Sequence, residues 1–125
     1  QDPSDYSAVF NLGLCLRRQG KLEDSAGLFR HASTLKPEAL EPLLLGAGAL
    51  RQAEKYGPAR EIILKALELE PESLAGLLQA SALSHLLEEP SVAMAYLEQA
   101  KAIDAERVKA RVERDEAFEW ALDSL

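Results

Sequence analysis

The chain has 125 residues, enough for one domain, with 47% hydrophobic and 28% charged residues, and 21 acidic side chains against 14 basic ones give a formal net charge of −7. That balance argues against non-specific binding to nucleic acid or to an anionic membrane, since both require a cationic footprint. A single cysteine, Cys15, excludes an internal disulfide framework and a cysteine-rich zinc site, and the expected compartment is the reducing cytoplasm.

No apolar run approaches the ~20 residues of a membrane span, and no secretory signal is visible. The apolar residues are mostly Leu and Ala, with few aromatic or β-branched residues, which favours helix over strand.

In chain order, Asp2-Pro3 reads as a helix start, with Asp2 as cap and Pro3 in the first turn. From about Ser4 to Gln19, Tyr6, Val9, Phe10, Leu12, Leu14 and Leu16 fall at helical spacing. Gly20 can take the left-handed conformation that ends such a helix. A second helix is expected over about Leu22 to Leu35, with Glu23 and Asp24 in its first turn, where carboxylates suit the dipole.

The next unit, Leu40 to about Ser73, carries Leu43, Leu44, Leu45, Ala47, Ala49 and Leu50 on its first helix. Gly46 and Gly48 lie inside that helix at a cost of roughly 1 kcal/mol each, and close helix packing would explain them. Tyr56-Gly57-Pro58 reads as a turn before a helix over about Pro58 to Leu69. The third unit, Leu74 to about Arg107, turns at Glu88-Glu89-Pro90, and its second helix carries Val92, Ala93, Met94, Tyr96, Leu97 and Ala100. Beyond Asp104, Val108, Val112, Phe118, Ala121, Leu122 and Leu125 suggest one more amphipathic helix, with Trp120 near its end.

A register runs through all of this. Pro3, Pro37 and Pro71 are 34 residues apart, as are Ala32, Ala66 and Ala100, Phe29, Ile63 and Leu97, Ser25, Ala59 and Ala93, and Leu28, Ile62 and Tyr96. Such a period signals a stacked repeat array, whose core lies between neighbouring layers. The expected organisation is a single domain over 1–125, with repeats at about 6–39, 40–73 and 74–107 and a capping helix over about 106–124. Ala105 replaces the closing proline of the third repeat, so that helix end lacks its punctuation. Pro3, in register with Pro37 and Pro71, is what a chain opening on the tail of a preceding repeat would show.

The residues resemble the tetratricopeptide repeat, a 34-residue helix–turn–helix unit. Val9, Leu12-Gly13, Leu16, Gly20, Ser25, Phe29, Ala32 and Pro37 carry the likeness in the first repeat. Leu43, Gly46-Ala47, Leu50, Tyr56, Ala59, Ile63, Ala66 and Pro71 carry it in the second. Leu77, Ala80-Ser81, Ser84, Ala93, Leu97, Ala100 and Ala105 match in the third, the most degenerate. The resemblance implies an all-α, right-handed α-solenoid of helix–turn–helix repeats, whose first helices line a concave groove that binds peptides or helices.

Carried onto this chain, the resemblance puts Ser7, Phe10, Asn11, Leu14, Arg17 and Arg18 in the groove from the first repeat. It adds Glu41, Leu44, Leu45, Gly48, Arg51 and Gln52 from the second, and Ala75, Leu78, Gln79, Ala82, His85 and Leu86 from the third. One branch of the family grips a peptide's terminal carboxylate with cationic and amide side chains. The matching positions here are Phe10, Leu14, Leu45, Ala75 and Gln79, which supply no cationic clamp. What remains is an apolar stripe with a basic edge of Arg17, Arg18 and Arg51. The stripe is either open to a partner or covered by a segment of the protein itself.

No constellation in the chain points to catalysis or metal binding. His31 and His85 fall on different repeats. Cys15 reads as a small core residue with no nearby base. Glu88-Glu89 and Asp115-Glu116 read as a turn and a solvated face, and Gly46 and Gly48 sit inside a helix rather than in a phosphate-cradling loop. The expected function is a non-catalytic protein–protein interaction scaffold, without cofactor, that binds a peptide or helix with an apolar face. Two alternatives stay open: a self-assembling structural module, homo-oligomeric through the groove or the Phe118–Leu125 end, and the interaction domain of a longer enzyme or of a secretion or assembly factor.

Overall fold

The structure, a computed structural model, describes residues 5–125, so the readings of Asp2-Pro3 as a helix start and of Pro3 as the tail of a preceding repeat lie outside the described residues. Among the described residues there are seven α-helices and a terminal 3-10 coil, with no strand. They form two compact units, the first ending at Pro71 and the second running Glu72–Leu125.

The first unit holds α1 (Tyr6–Arg18), α2 (Leu22–Leu35), α3 (Glu41–Gln52) and α4 (Tyr56–Leu69). Asp5 starts α1: its Oδ1 accepts from the backbone N–H groups of Ser7 (3.0 Å) and Ala8 (3.4 Å), two donors that the first turn leaves without partners. Each helix packs on the next in sequence. Phe29, Ala32, Ala47, Ala59, Ile63 and Ala66 are fully buried. A large residue buried this way contributes roughly 1.5–3 kcal/mol, and the alanines let helix axes approach. The closest approach is at Gly13, where a Cβ would lie 2.9 Å from the Phe29 ring. Beside it, the Ser25 hydroxyl donates to the Gly13 carbonyl at 2.8 Å.

The turn α1–α2 is made by Gly20 at φ +80°, as expected of a residue without a Cβ. The expected turn at Gly57-Pro58 is displaced. Both residues lie in the first turn of α4, where proline's missing N–H costs nothing. The chain reverses instead at Glu54, at φ 62°, and the third repeat reverses at Glu88, also at φ 62°. Gly20, Glu54 and Glu88 are 34 residues apart. Each is followed by the same closing hydrogen bond: Lys21 N–H to Leu16 O, Lys55 N–H to Leu50 O and Glu89 N–H to Ser84 O, at 2.8–2.9 Å.

The second unit holds α5 (Leu74–Leu86), α6 (Pro90–Ile103), α7 (Ala105–Arg114) and the 3-10 coil Glu116–Ser124. Ser73 caps α5 by accepting from Gly76 N–H at 3.1 Å. The run Gly76 to Ser84 is buried apart from half-buried Gln79. The missing proline at Ala105 does not blur the end of α6. Asp104 takes over, leaving the helical conformation and accepting from Arg107 N–H at 3.1 Å to start α7 at the next residue.

The expected single helix over 106–124 is broken at Asp115. That residue is extended (φ −114°, ψ 117°), its Oδ1 accepts from Ala117 N–H at 3.0 Å, and its Oδ2 accepts from Arg111 Nε at 2.8 Å. A short carboxylate that satisfies a nearby N–H competes with continuing the helix. Val108, Val112, Phe118 and Ala121 stay buried across the break.

Candidate protein-interaction surface

The candidate surface of the first unit lies on α1 and α3. These two helices contribute equivalent residues 34 apart: Phe10 with Leu44, Asn11 with Leu45, Leu14 with Gly48, Arg17 with Arg51, Arg18 with Gln52. Leu14, Leu44 and Leu45 are half-buried, whereas Asn11, Arg18 and Gln52 are exposed. At Gly48 a Cβ would meet nothing within 4 Å, so the helix is open at that point. Close packing therefore explains Gly46, whose Cβ would lie 3.3 Å from Phe29 Cβ, but not Gly48.

Phe10 is tied down. Its ring meets Phe29 edge-on at 5.6 Å and stacks on Tyr6 at 5.8 Å. Tyr6 in turn lies 4.5 Å beneath Lys36 Nζ, and burial, reinforced by Glu41 and Glu38, pushes its phenol pKa up.

Arg17, Arg18 and Arg51 make no ion pair or side-chain hydrogen bond among the described residues, and Arg51 Nε is buried without an acceptor. Three unpaired cations in a chain with seven more acids than bases are a local charge excess. They stand beside the leucines of the same helices.

The second unit differs from expectation. Leu78 is only 4% exposed and Ala82 3%, so neither offers an open apolar face. Gln79 is half-buried and engaged in polar contact. His85, in register with Arg17 and Arg51, is covered by the chain's own terminal segment: the Trp120 indole stacks on it at 4.6 Å with an interplanar angle of 6°. Trp120 Nε1 donates to Ala117 O (2.8 Å), and Lys101 Nζ to Ser124 O (3.0 Å), which pins the coil. Periodicity cannot signal this stack, because Trp120 lies outside the repeats.

Two further expectations are corrected. Cys15 is exposed rather than buried, and Leu12, one of the apolar residues at helical spacing, is 51% exposed. Three residues apart, they are neighbours on the surface of α1, whose buried positions are Val9 and Gly13. His31 is exposed on α2, as expected. Among the described residues, no group of three His, Cys, Asp or Glu could hold a metal ion, and no helix is long and apolar enough to cross a membrane.

Solved structures share this architecture. The first tetratricopeptide domain of Spaghetti, bound to the HSP90 peptide SRMEEVD, aligns with a TM-score of 0.78 at 14% identity, over 98% of this chain and 91% of that one. The type III secretion translocator chaperone SycD of Yersinia enterocolitica aligns with 0.79 at 15% identity, over 95% and 89%. The TPR2AB domain of yeast Sti1, in its pHSP90 complex, aligns with 0.81 at 18% identity, over 96% and 47%. No family profile and no curated protein matches the sequence significantly. The fold is that of the tetratricopeptide repeat, all-α and built of helix–turn–helix units.

Proposed function

We propose that this chain is a non-catalytic scaffold for protein–protein interaction, with α1 and α3 of the first unit as its binding surface. The observation that carries this reading is the set of Arg17, Arg18 and Arg51, free of ion pairs, beside half-buried Leu14, Leu44 and Leu45. The ligand that suits it is a helix or extended segment with an apolar face and acidic flanks. The leucines would bury the apolar side chains and the arginines would meet the carboxylates.

Two proteins of the same fold are bound to HSP90 peptides, which supports a peptide ligand here. Leu14 and Leu45 stand where a carboxylate-gripping groove would have polar side chains, which favours side-chain burial over capture of a chain terminus. The charge balance argues against a nucleic-acid ligand. The exposed thiol of Cys15 accords with a reducing, cytoplasmic setting.

Calorimetric titration with two leucine-rich amphipathic peptides, one flanked by Glu and one by Lys, tests the proposal. The Glu-flanked peptide is expected to bind more tightly, with an affinity that falls as salt rises. Arg17→Glu with Arg51→Glu should weaken it at least tenfold, and Leu44→Asp comparably. Equal binding of both peptides, or binding that the folded variants leave unchanged, would overturn it.

A further inference from the structure

On the first unit a second concavity, separate from the α1/α3 surface, opens between α2, α3 and α4. It has a volume of about 120 Å³. Its interior is apolar: Phe29 and Ile62 form the walls, and Leu43 and Gly46 line it from α3. Gly46 stands 34 residues after Leu12, so the second repeat has a hydrogen where the first has a leucine side chain. The α3 backbone comes close to Phe29 there, and a Cβ at Gly46 would lie 3.3 Å from the Phe29 Cβ.

The lining also has a polar side. Arg30, Ser33 and Lys65 border the same crevice, and none of the three has a hydrogen-bond or ion-pair partner among the described residues. Lys65 is left unpaired although Glu61 and Glu68 lie four and three residues away on the same helix, spacings at which ion pairs form. An apolar interior bordered by two free cations and a hydroxyl has the polarity of an amphipathic anion: an alkyl chain inside, a carboxylate outside. An apolar cavity of about 150 Å³ accepts benzene. A volume of 120 Å³ therefore suits roughly four to six carbons.

We infer that this crevice is a binding site for a short aliphatic monocarboxylate, whose chain enters between Phe29 and Ile62 and whose carboxylate meets Arg30 and Lys65. The volume matches one short unbranched chain, and the two cations at its border match a single carboxylate at the end of that chain.

Hexanoate alone is the probe, titrated into the intact chain while the methyl resonances of Ile62, Leu43 and Ala26 are followed by NMR. Saturable shifts confined to these methyls are expected, with a dissociation constant on the order of 1 mM for so small a ligand. Hexylammonium, with the same chain and the opposite charge, should bind at least tenfold more weakly. Arg30→Glu and Lys65→Glu, both at exposed positions, should each weaken hexanoate severalfold, and Ser33→Leu should abolish binding by closing the crevice. Absence of saturable shifts at tens of millimolar hexanoate would overturn the assignment. So would equal binding of hexylammonium, insensitivity to both charge reversals, or shifts centred on Leu14, Leu44 and Leu45.

Discussion

Trp120 and His85 lie face to face, 4.6 Å apart and within 6° of parallel, joining the terminal coil to α5. Aromatic pairs of this kind contribute about 0.5–1.5 kcal/mol beyond the area they bury. A double-mutant cycle of Trp120→Leu and His85→Ala, read by urea unfolding, should return a coupling energy in that range. His85→Ala should also change the fluorescence of Trp120, the sole tryptophan. Strict additivity with unchanged emission would mean that the stack contributes nothing.

Glu54 and Glu88 hold a left-handed backbone that Gly20 adopts without penalty at the equivalent turn. The Cβ of an ordinary residue costs about 1–2 kcal/mol in that region, partly offset by glycine's greater freedom when unfolded. Glu54→Gly and Glu88→Gly are therefore expected to stabilise the chain by about 0.5–1 kcal/mol each. Chemical denaturation measures this directly. Destabilisation by both variants would show that the two glutamates have a compensating role.

Ser84 stands in the register of Leu16 and Leu50, fully buried, and its hydroxyl has no partner among the described residues. A buried hydroxyl without a hydrogen bond costs roughly 1–3 kcal/mol. Ser84→Ala removes it with little loss of volume, so stability should rise by about 1 kcal/mol. Ser81→Ala should do the opposite, because its hydroxyl donates to Ala93 O at 2.8 Å. Comparing the two melting temperatures separates the satisfied serine from the unsatisfied one.

Gly13→Ala would place a methyl 2.9 Å from a Phe29 ring that is itself fully buried. The ring has no solvent to retreat into, and overpacking of this kind costs about 1–3 kcal/mol. Gly48→Ala, where a Cβ meets nothing within 4 Å, should instead stabilise α3 by up to about 1 kcal/mol through helix propensity. Thermal melts of the pair distinguish a packing glycine from an open one.

The fold was legible because one spacing repeats. Phe29, Ile63 and Leu97 fill the same place in successive units, and Ala32, Ala66 and Ala100 the same contact, so a 34-residue register identifies buried positions without coordinates. That register says which residues are equivalent, not which have a neighbour. Leu12 by its spacing and Cys15 by its residue type look like core residues, but both are exposed on α1. Leu78 looked like part of an open stripe and is buried. The break at Asp115 was hidden for another reason: in a helical pattern an aspartate reads as part of the polar face, and its two hydrogen bonds become evident only in three dimensions. Of the candidate surface, the register places Arg17 and Arg51 at equivalent positions of α1 and α3, whereas the covering of His85 by Trp120 lies outside the repeats.

The hydroxyl bonds inside the helix pairs bear on how such repeats diverge. In the first repeat, Ser25 of the second helix donates to the carbonyl of Gly13 in the first. In the third, Ser81 of the first helix donates to the carbonyl of Ala93 in the second. Gly13 and Ser81 occupy one register position, and Ser25 and Ala93 the other, with Ala47 and Ala59 at the matching places of the middle repeat. One clasp between two helices can thus be fastened from either side. Compared column by column, the repeats disagree at both positions, although the same bond has been kept with its donor exchanged. Identity between repeats therefore understates how alike they are, and the pair of columns, rather than either alone, carries the signal of common descent.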